Sequence, residues 1–129
     1  MLKAGILNPN INSLLSRVRH TNMLVIADRG FPFWPQIENV DISLVDDIPR
    51  VLDVLRSIRA NFAIGRVFMA EEFRAANQAD VRAEFEQALK DLTLVFEPNA
   101  DLKKRVPLAI GLIRTGETVQ YANMILESA

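Results

Sequence analysis

The sequence predicts an α/β fold: a single three-layer α/β/α domain, residues 1–129, built around a largely parallel central sheet. Three observations carry this expectation. Short β-rich runs alternate with longer segments of helical period, the order that builds parallel sheets through helical crossovers. The run Met23-Leu24-Val25-Ile26-Ala27 is apolar without a break, as expected of a strand covered on both faces. Finally, 129 residues, of which 50% are hydrophobic and 24% charged, suffice for one core that needs no disulfide or metal staple.

The elements follow in order. Asn10 or Asn12 is placed to cap a first helix whose Leu14, Leu15 and Val18 share a face. Met23 to Ala27 forms the first strand and ends at Asp28-Arg29-Gly30. Two prolines bar Phe31-Pro32-Phe33-Trp34-Pro35 from a central strand or a helix interior, so it reads as an aromatic loop. Val40 to Leu44 alternates as a short strand. Pro49 suits the first turn of a second helix, with Asp46 and Asp47 upstream at its positive end. Val51, Leu52, Leu55, Ile58 and Phe62 continue it at helical spacing. Arg66 to Ala70 is a strand, and Phe73 to Ala76 a short helical turn. Asp80 to Leu92 is an amphipathic helix with Val81, Phe85, Leu89 and Leu92 inside and Arg82, Glu86 and Lys90 four apart on its wet side. Thr93 to Phe96 is strand-like, Asn99 to Arg105 helical and Leu108 to Ile113 a strongly apolar strand. Arg114 to Glu117 forms a turn, and Tyr121 to Leu126 a closing strand. No repeat, linker or low-complexity tract interrupts this order.

Composition removes several classes of function. Fifteen Lys and Arg are interspersed with sixteen Asp and Glu, so no basic stripe offers itself to nucleic acid. The densest basic run, Lys103-Lys104-Arg105, reads as a solvated helix end. The apolar stretches are too short to span a membrane, and Met1 to Gly5 lacks a secretory apolar region, so the expected setting is the cytoplasm. With no cysteine, thiolate metal sites and cysteine nucleophiles are excluded; with one histidine, so are multi-histidine zinc sites. Glycines at 5, 30, 65, 111 and 116 permit neither a dinucleotide fingerprint nor a P-loop, and no G-x-S-x-G elbow is present. Proton transfer near neutral pH therefore rests on His20, or on a carboxylate or lysine of displaced pKa.

Polar residues gather around the strand ends. His20-Thr21-Asn22 precedes the first strand, Asp28 closes it, and Arg114-Thr115-Gly116-Glu117 and Tyr121-Ala122-Asn123 bracket the C-terminal turn. Open α/β sheets bind ligands at the carboxyl ends of their strands, where Asp28 and Arg114 fall. Singly, each residue has an ordinary structural use. A histidine after a helix satisfies carbonyls, an aspartate at a strand end forms turns, and a tyrosine on a strand is half-buried packing.

Their joint order says more. Gly5-Ile6-Leu7-Asn8, His20-Thr21 and Val25-Ile26-Ala27-Asp28-x-Gly30-x-Pro32 resemble the start of the D-ribose pyranase/L-fucose mutarotase family. Ala70-Glu71-Glu72, Ile113-Arg114-Thr115-Gly116-Glu117 and Tyr121-Ala122-Asn123-x-Ile125-Leu126 resemble its middle and end. Thr21, Arg114 and Ala122 look like its ribose branch.

The resemblance implies a cofactor-free, metal-free isomerase that interconverts cyclic forms of D-ribose or a related monosaccharide. It implies His20 as proton donor and Asp28, Tyr121 and Asn123 as substrate-binding residues, with Ala122 contributing mainly backbone. Asn99 stands where many ribose-branch relatives carry a second histidine; it can hold a sugar hydroxyl but cannot shuttle a proton at neutral pH. The resemblance further implies ring-shaped homo-oligomers, commonly decamers, with sites near subunit boundaries.

The residue types suit this chemistry by themselves. Opening a sugar ring removes a proton from the anomeric hydroxyl and adds one to the ring oxygen; closure reverses this through another hydroxyl. A group titrating near pH 7 does both. Asp28 can orient the imidazole or bind hydroxyls, and Trp34 can offer the sugar an apolar face or serve packing. Other readings are L-fucose mutarotase, a non-catalytic sugar-binding or sensing protein, and an interaction module with no sugar site. Geometry discriminates the last: the sugar readings require His20, Asp28, Tyr121 and Asn123 to converge, within one chain or across subunits.

Overall fold

A computed structural model describes residues 1–129. Its helices are α1 (Pro9–Ser16), α2 (Val51–Arg59), α3 (Glu72–Ala76), α4 (Ala79–Ala88) and α5 (Asn99–Arg105). Its strands are β1 (Met23–Ala27), β2 (Glu38–Asp41), β3 (Ile64–Ala70), β4 (Thr93–Glu97), β5 (Gly111–Arg114) and β6 (Met124–Ser128). The strands form one sheet in the order β2-β5-β1-β6-β3-β4. β1 and β2 run parallel to β5, and β3 parallel to β4, while β6 pairs antiparallel with both β1 and β3. Five strands thus share one direction and β6 alone opposes them. The expected largely parallel α/β sheet is present, with one reversed strand inside it.

Side-chain alternation sorts the sheet into two cores. Leu24, Ile26, Val67, Met69, Met124 and Leu126 face a cluster closed by Leu14 of α1, Leu52 and Leu55 of α2 and Phe85 of α4. Val25, Ala27, Phe68, Ala70 and Ile125 face the other cluster, closed by Leu102 of α5, Val106 and Phe31. The continuous apolar reading of β1 has its reason here, since residues of both parities are buried.

Several expected boundaries shift. The first helix is capped by Asn8, whose Oδ1 accepts from Asn10 N at 2.9 Å and Ile11 N at 3.0 Å, with Pro9 in the first turn. Asn12 instead lends its amide to the Ile6 carbonyl. β2 ends at Asp41, whose carboxylate accepts from Ser43 N at 3.0 Å and turns the chain out of the sheet. Pro49 lies just outside α2, which starts where Asp53 Oδ2 accepts from Arg50 N at 2.8 Å. α4 stops at Ala88, short of Leu92, and Asp91 beyond it has φ 68°. The stretch Leu108 to Ile113 is divided: Val106–Leu108, with Pro107, is a single 3-10 turn, and β5 begins only at Gly111. Tyr121 has φ 54°, outside any strand conformation, so β6 begins at Met124.

α1 lies tightly on β5 because residue 111 has no side chain: a Cβ there would stand 2.5 Å from Leu14 Cδ1. Leu14 is fully buried. Replacing it with alanine is expected to cost roughly 2–5 kcal/mol in urea unfolding. Gly111→Ala should cost less in that background than in the wild type, because the vacated space receives the new methyl. Additive effects in the double-mutant cycle would contradict this packing.

Candidate functional site

The site follows from the reversal of β6. β5 and β6 are separated in the sheet by β1, so the chain leaving β5 at Arg114 must pass over the carboxyl end of β1 before entering β6. Residues 115–123 make that crossing, which brings Asn123 against Asp28. Asp28 N donates to Asn123 Oδ1 at 2.7 Å, and Asn123 Nδ2 donates to Asp28 Oδ2 at 3.2 Å. The other carboxylate oxygen accepts from Gly30 N at 3.0 Å. Asp28 is therefore oriented from both sides, while Asn123 is only 6% exposed and commits most of its amide to Asp28.

Around this pair lies a cavity of about 350 Å³ lined by Asp28, Gly30, Phe31, Pro32, Asn99, Lys103, Gln120, Tyr121 and Asn123. Its walls mix a carboxylate, an ammonium, amides and a phenol, a set of donors and acceptors suited to a small polyhydroxylated ligand. Asn99 opens α5, held by Glu72, whose Oε1 and Oε2 accept from Asn99 N at 3.1 and 3.2 Å. That contact gives the Ala70-Glu71-Glu72 segment a role in placing the pocket wall. Asn99 Oδ1 is buried without a protein partner.

Four of the six residues singled out by sequence, Asp28, Asn99, Tyr121 and Asn123, converge on this cavity. Ala122 is fully buried, and its methyl belongs to the larger core, leaving its backbone as the part available to the site. His20 lies elsewhere. It precedes β1 whereas Asp28 follows it, so five residues of strand, ~16 Å, separate the two ends. Within one chain His20 cannot orient against Asp28. The exposed His20 Nδ1 stands 2.6 Å from the Ala129 carbonyl. That oxygen only accepts, so Nδ1 carries the proton of this hydrogen bond. Thr21, at φ 65°, turns the chain from His20 into β1 and donates its N–H to Ser128 O at 3.0 Å.

Three other readings have separate outcomes. Arg114 pairs with Asp41 at 2.9 Å and takes no part in the cavity lining. Trp34 packs 6.3 Å from Phe31, ring centre to ring centre, and it is Phe31 that reaches the cavity. The basic run on α5 divides three ways. Lys104 pairs with Asp101, and Arg105 pairs with Glu97 and lies 3.9 Å over Phe68; only Lys103 lines the cavity. Lys103 and Gln120 were not anticipated. A signal for Lys103 existed, because it stands four residues after Asn99 and so shares its helix face.

The profile of the RbsD / FucU transport protein family matches residues 1–129. A D-ribose pyranase of Clostridium perfringens is 33% identical over 128 residues, covering 99% of this chain and 97% of the relative. The structure of Bacillus subtilis RbsD complexed with D-ribose superposes with a TM-score of 0.91 at 31% identity, covering 100% of this chain and 98% of that one. The fucose mutarotase of Streptococcus pneumoniae in complex with L-fucose shares the fold, with a TM-score of 0.82, 20% identity and coverage of 99% and 98%.

The loop that crosses β1 is tied at its start by Asp47, whose Oδ1 accepts from Thr118 N at 3.0 Å and Thr118 Oγ1 at 2.7 Å. The Thr118 hydroxyl bond holds the Asp47 carboxyl below its ordinary 3.8, with the Thr118 backbone N–H and the Arg50 charge acting in the same direction against desolvation. A depressed folded-state pKa contributes stability above the unfolded value and loses it as pH falls through the folded value. NMR titration of the Asp47 carboxyl carbon should give a midpoint below 3.8, moving back toward it in Thr118→Val. An ordinary midpoint in the wild type would contradict the tie.

Proposed function

The chain belongs to the RbsD / FucU transport protein family, and from that membership we propose that residues 1–129 act as a cytoplasmic, cofactor-independent isomerase that interconverts the cyclic forms of D-ribose or a related monosaccharide. The observation that carries the reading is the reciprocal Asp28–Asn123 pair facing Tyr121 and Asn99 across a polar cavity of sugar-binding character. The B. subtilis and C. perfringens relatives support D-ribose over L-fucose, at 31% and 33% identity against 20% for the fucose mutarotase.

In this proposal Asp28, Asn99 and Tyr121 bind sugar hydroxyls, Asn123 fixes the Asp28 carboxylate, and Lys103 adds a cationic donor. His20 performs the proton transfers with Nε2. The anomeric hydroxyl loses its proton, the bond from the anomeric carbon to the ring oxygen breaks, and the ring oxygen gains a proton, giving the open-chain aldehyde. A different hydroxyl then adds to the aldehyde carbon, giving up its proton as the carbonyl oxygen receives one, and no atom leaves the sugar. One imidazole, able both to accept and to donate a proton, serves each transfer in turn.

Because His20 sits at the opposite edge of the sheet, the proposal draws it from a second copy of the chain. The amino edge of one copy meets the carboxyl edge of the next, a head-to-tail contact that closes into a ring. The homo-oligomer expected from the family resemblance, a ring and commonly a decamer, has this form. Exposed apolar side chains support it at both edges: Phe33, 65% exposed, in the loop after β1, and Leu108, 73% exposed, shortly before β5. The non-catalytic reading is favoured by one observation, that the cavity's own lining contains no histidine.

Magnetisation-exchange NMR on D-ribose tests these readings. The wild type should accelerate pyranose–furanose exchange and His20→Ala should abolish the acceleration. Saturable binding without exchange would establish the non-catalytic reading instead. Mixing His20→Ala with Asp28→Asn, each inactive alone, and allowing reassembly should restore about a quarter of wild-type turnover, the share of subunit boundaries that randomly combine an intact His20 with an intact Asp28. No restoration on mixing would refute the shared site.

A further inference from the structure

Thr115-Gly116-Glu117 lines no part of the cavity, yet Thr115 and Glu117 are fully buried. The segment grips β1 on both sides of Asp28. Thr115 N and Oγ1 both donate to Ala27 O, at 2.9 and 2.8 Å, and Arg29 N donates to Glu117 O at 3.1 Å. Gly116 passes directly under the loop before α2, where a Cβ would collide with the Val45 carbonyl. The Glu117 side chain then reaches forward: its Oε2 accepts from Thr118 N at 3.1 Å and Val119 N at 3.4 Å, with Arg50 Nε at 3.5 Å. Its Oε1 has no protein partner. A buried carboxylate carries a heavy desolvation cost, and a simple turn would avoid it, so its presence calls for a use at this position.

We propose that Glu117 is a positioning residue for the sugar site: its carboxylate sets the path of residues 118–123 and thereby holds Tyr121 and Asn123 in register with Asp28. The kinetic consequence rests on the isomerase reading above; the structural consequence does not. Asp47 and Asn77 also hold this loop, the latter donating to Gln120 O at 2.9 Å. Val119 N, by contrast, has the Glu117 carboxylate as its acceptor. With the carboxylate removed, the loop occupies its binding arrangement for a smaller fraction of the time, and apparent affinity falls by that fraction while the assembled complex turns over normally.

The experiment compares Glu117→Ala and Glu117→Gln with the wild type, with Phe85→Leu as a core-destabilised control remote from the cavity. Glu117→Ala should raise KM for D-ribose roughly tenfold and leave kcat within about twofold. Glu117→Gln, which keeps an oxygen for the two amides, should restore KM to within about twofold of the wild type, whereas Phe85→Leu should lower Tm without moving KM. Amide hydrogen exchange at Val119 should quicken at least about tenfold in Glu117→Ala and not in Phe85→Leu. Should the alanine variant not fold, Glu117→Asp, one methylene short of both amides, takes its place. Unchanged KM with unchanged Val119 exchange would overturn the proposal, as would an equal rise of KM in Phe85→Leu. If the wild type shows no turnover, the isomerase reading falls, and Val119 exchange with the Tyr121–Asn123 amide shifts still decides whether Glu117 positions the loop.

Discussion

The reversed strand β6, inserted between β1 and β3, is the constraint from which the site follows. Both β1 and β3 are interior strands only because β6 satisfies their facing N–H and C=O groups, so the slot must be filled for the sheet to be one sheet. Filling it antiparallel forces the preceding segment across the carboxyl end of β1. Asp28 and Asn123, 95 residues apart in sequence, are brought into hydrogen-bond contact by that path. Had β6 run with its neighbours, its preceding residues would have lain at the amino edge, with His20 and away from Asp28.

A segment that crosses the end of a buried strand meets a strand terminus whose polar groups have little access to water. The chain answers with buried polar side chains rather than apolar ones. Thr115 covers the Ala27 carbonyl, the Glu117 carboxylate collects the amides of Thr118 and Val119, and the Asn123 amide takes the Asp28 N–H while returning a bond to the carboxylate. The groups that keep the sheet end satisfied are thus the ones that aim the cavity's polar atoms. Structural and ligand-facing roles cannot be separated residue by residue here: Asn123 faces the cavity, yet its amide is largely spent on orienting Asp28.

Much of this was readable from local pattern. β1 and α5 lie where apolar runs and helical spacing placed them, and Asp28, Asn99, Tyr121 and Asn123 share one cavity. The differences fall where a local signal had a competitor. Asn8, Asn10 and Asn12 are chemically alike, and only Pro9 in the first turn selects Asn8 as the cap. Leu108 is apolar enough for a strand, but the neighbouring Pro107 sits in a 3-10 turn and leaves the leucine exposed. Tyr121 reads as a strand residue until the crossing over β1 requires a left-handed turn there. Lys103 reads as one of three solvated cations when the basic run is taken alone; its spacing of four from Asn99 is what puts it on the side of α5 that meets the cavity.

By itself the sequence determined the α/β class, the burial of β1 on both faces, the absence of thiol and multi-histidine chemistry, and the set of polar residues placed at strand ends. These depend on periodicity, proline and residue chemistry, which act over a few neighbours. Only the tertiary structure decided that β6 runs backwards, that Asn123 and Glu117 close over Asp28, and that His20 stands at the far edge of the sheet from the cavity. Those outcomes depend on which strand edges pair and in which direction. Such pairing is a competition among distant segments for the same hydrogen-bonding edge and the same apolar cover, which no short stretch of sequence records.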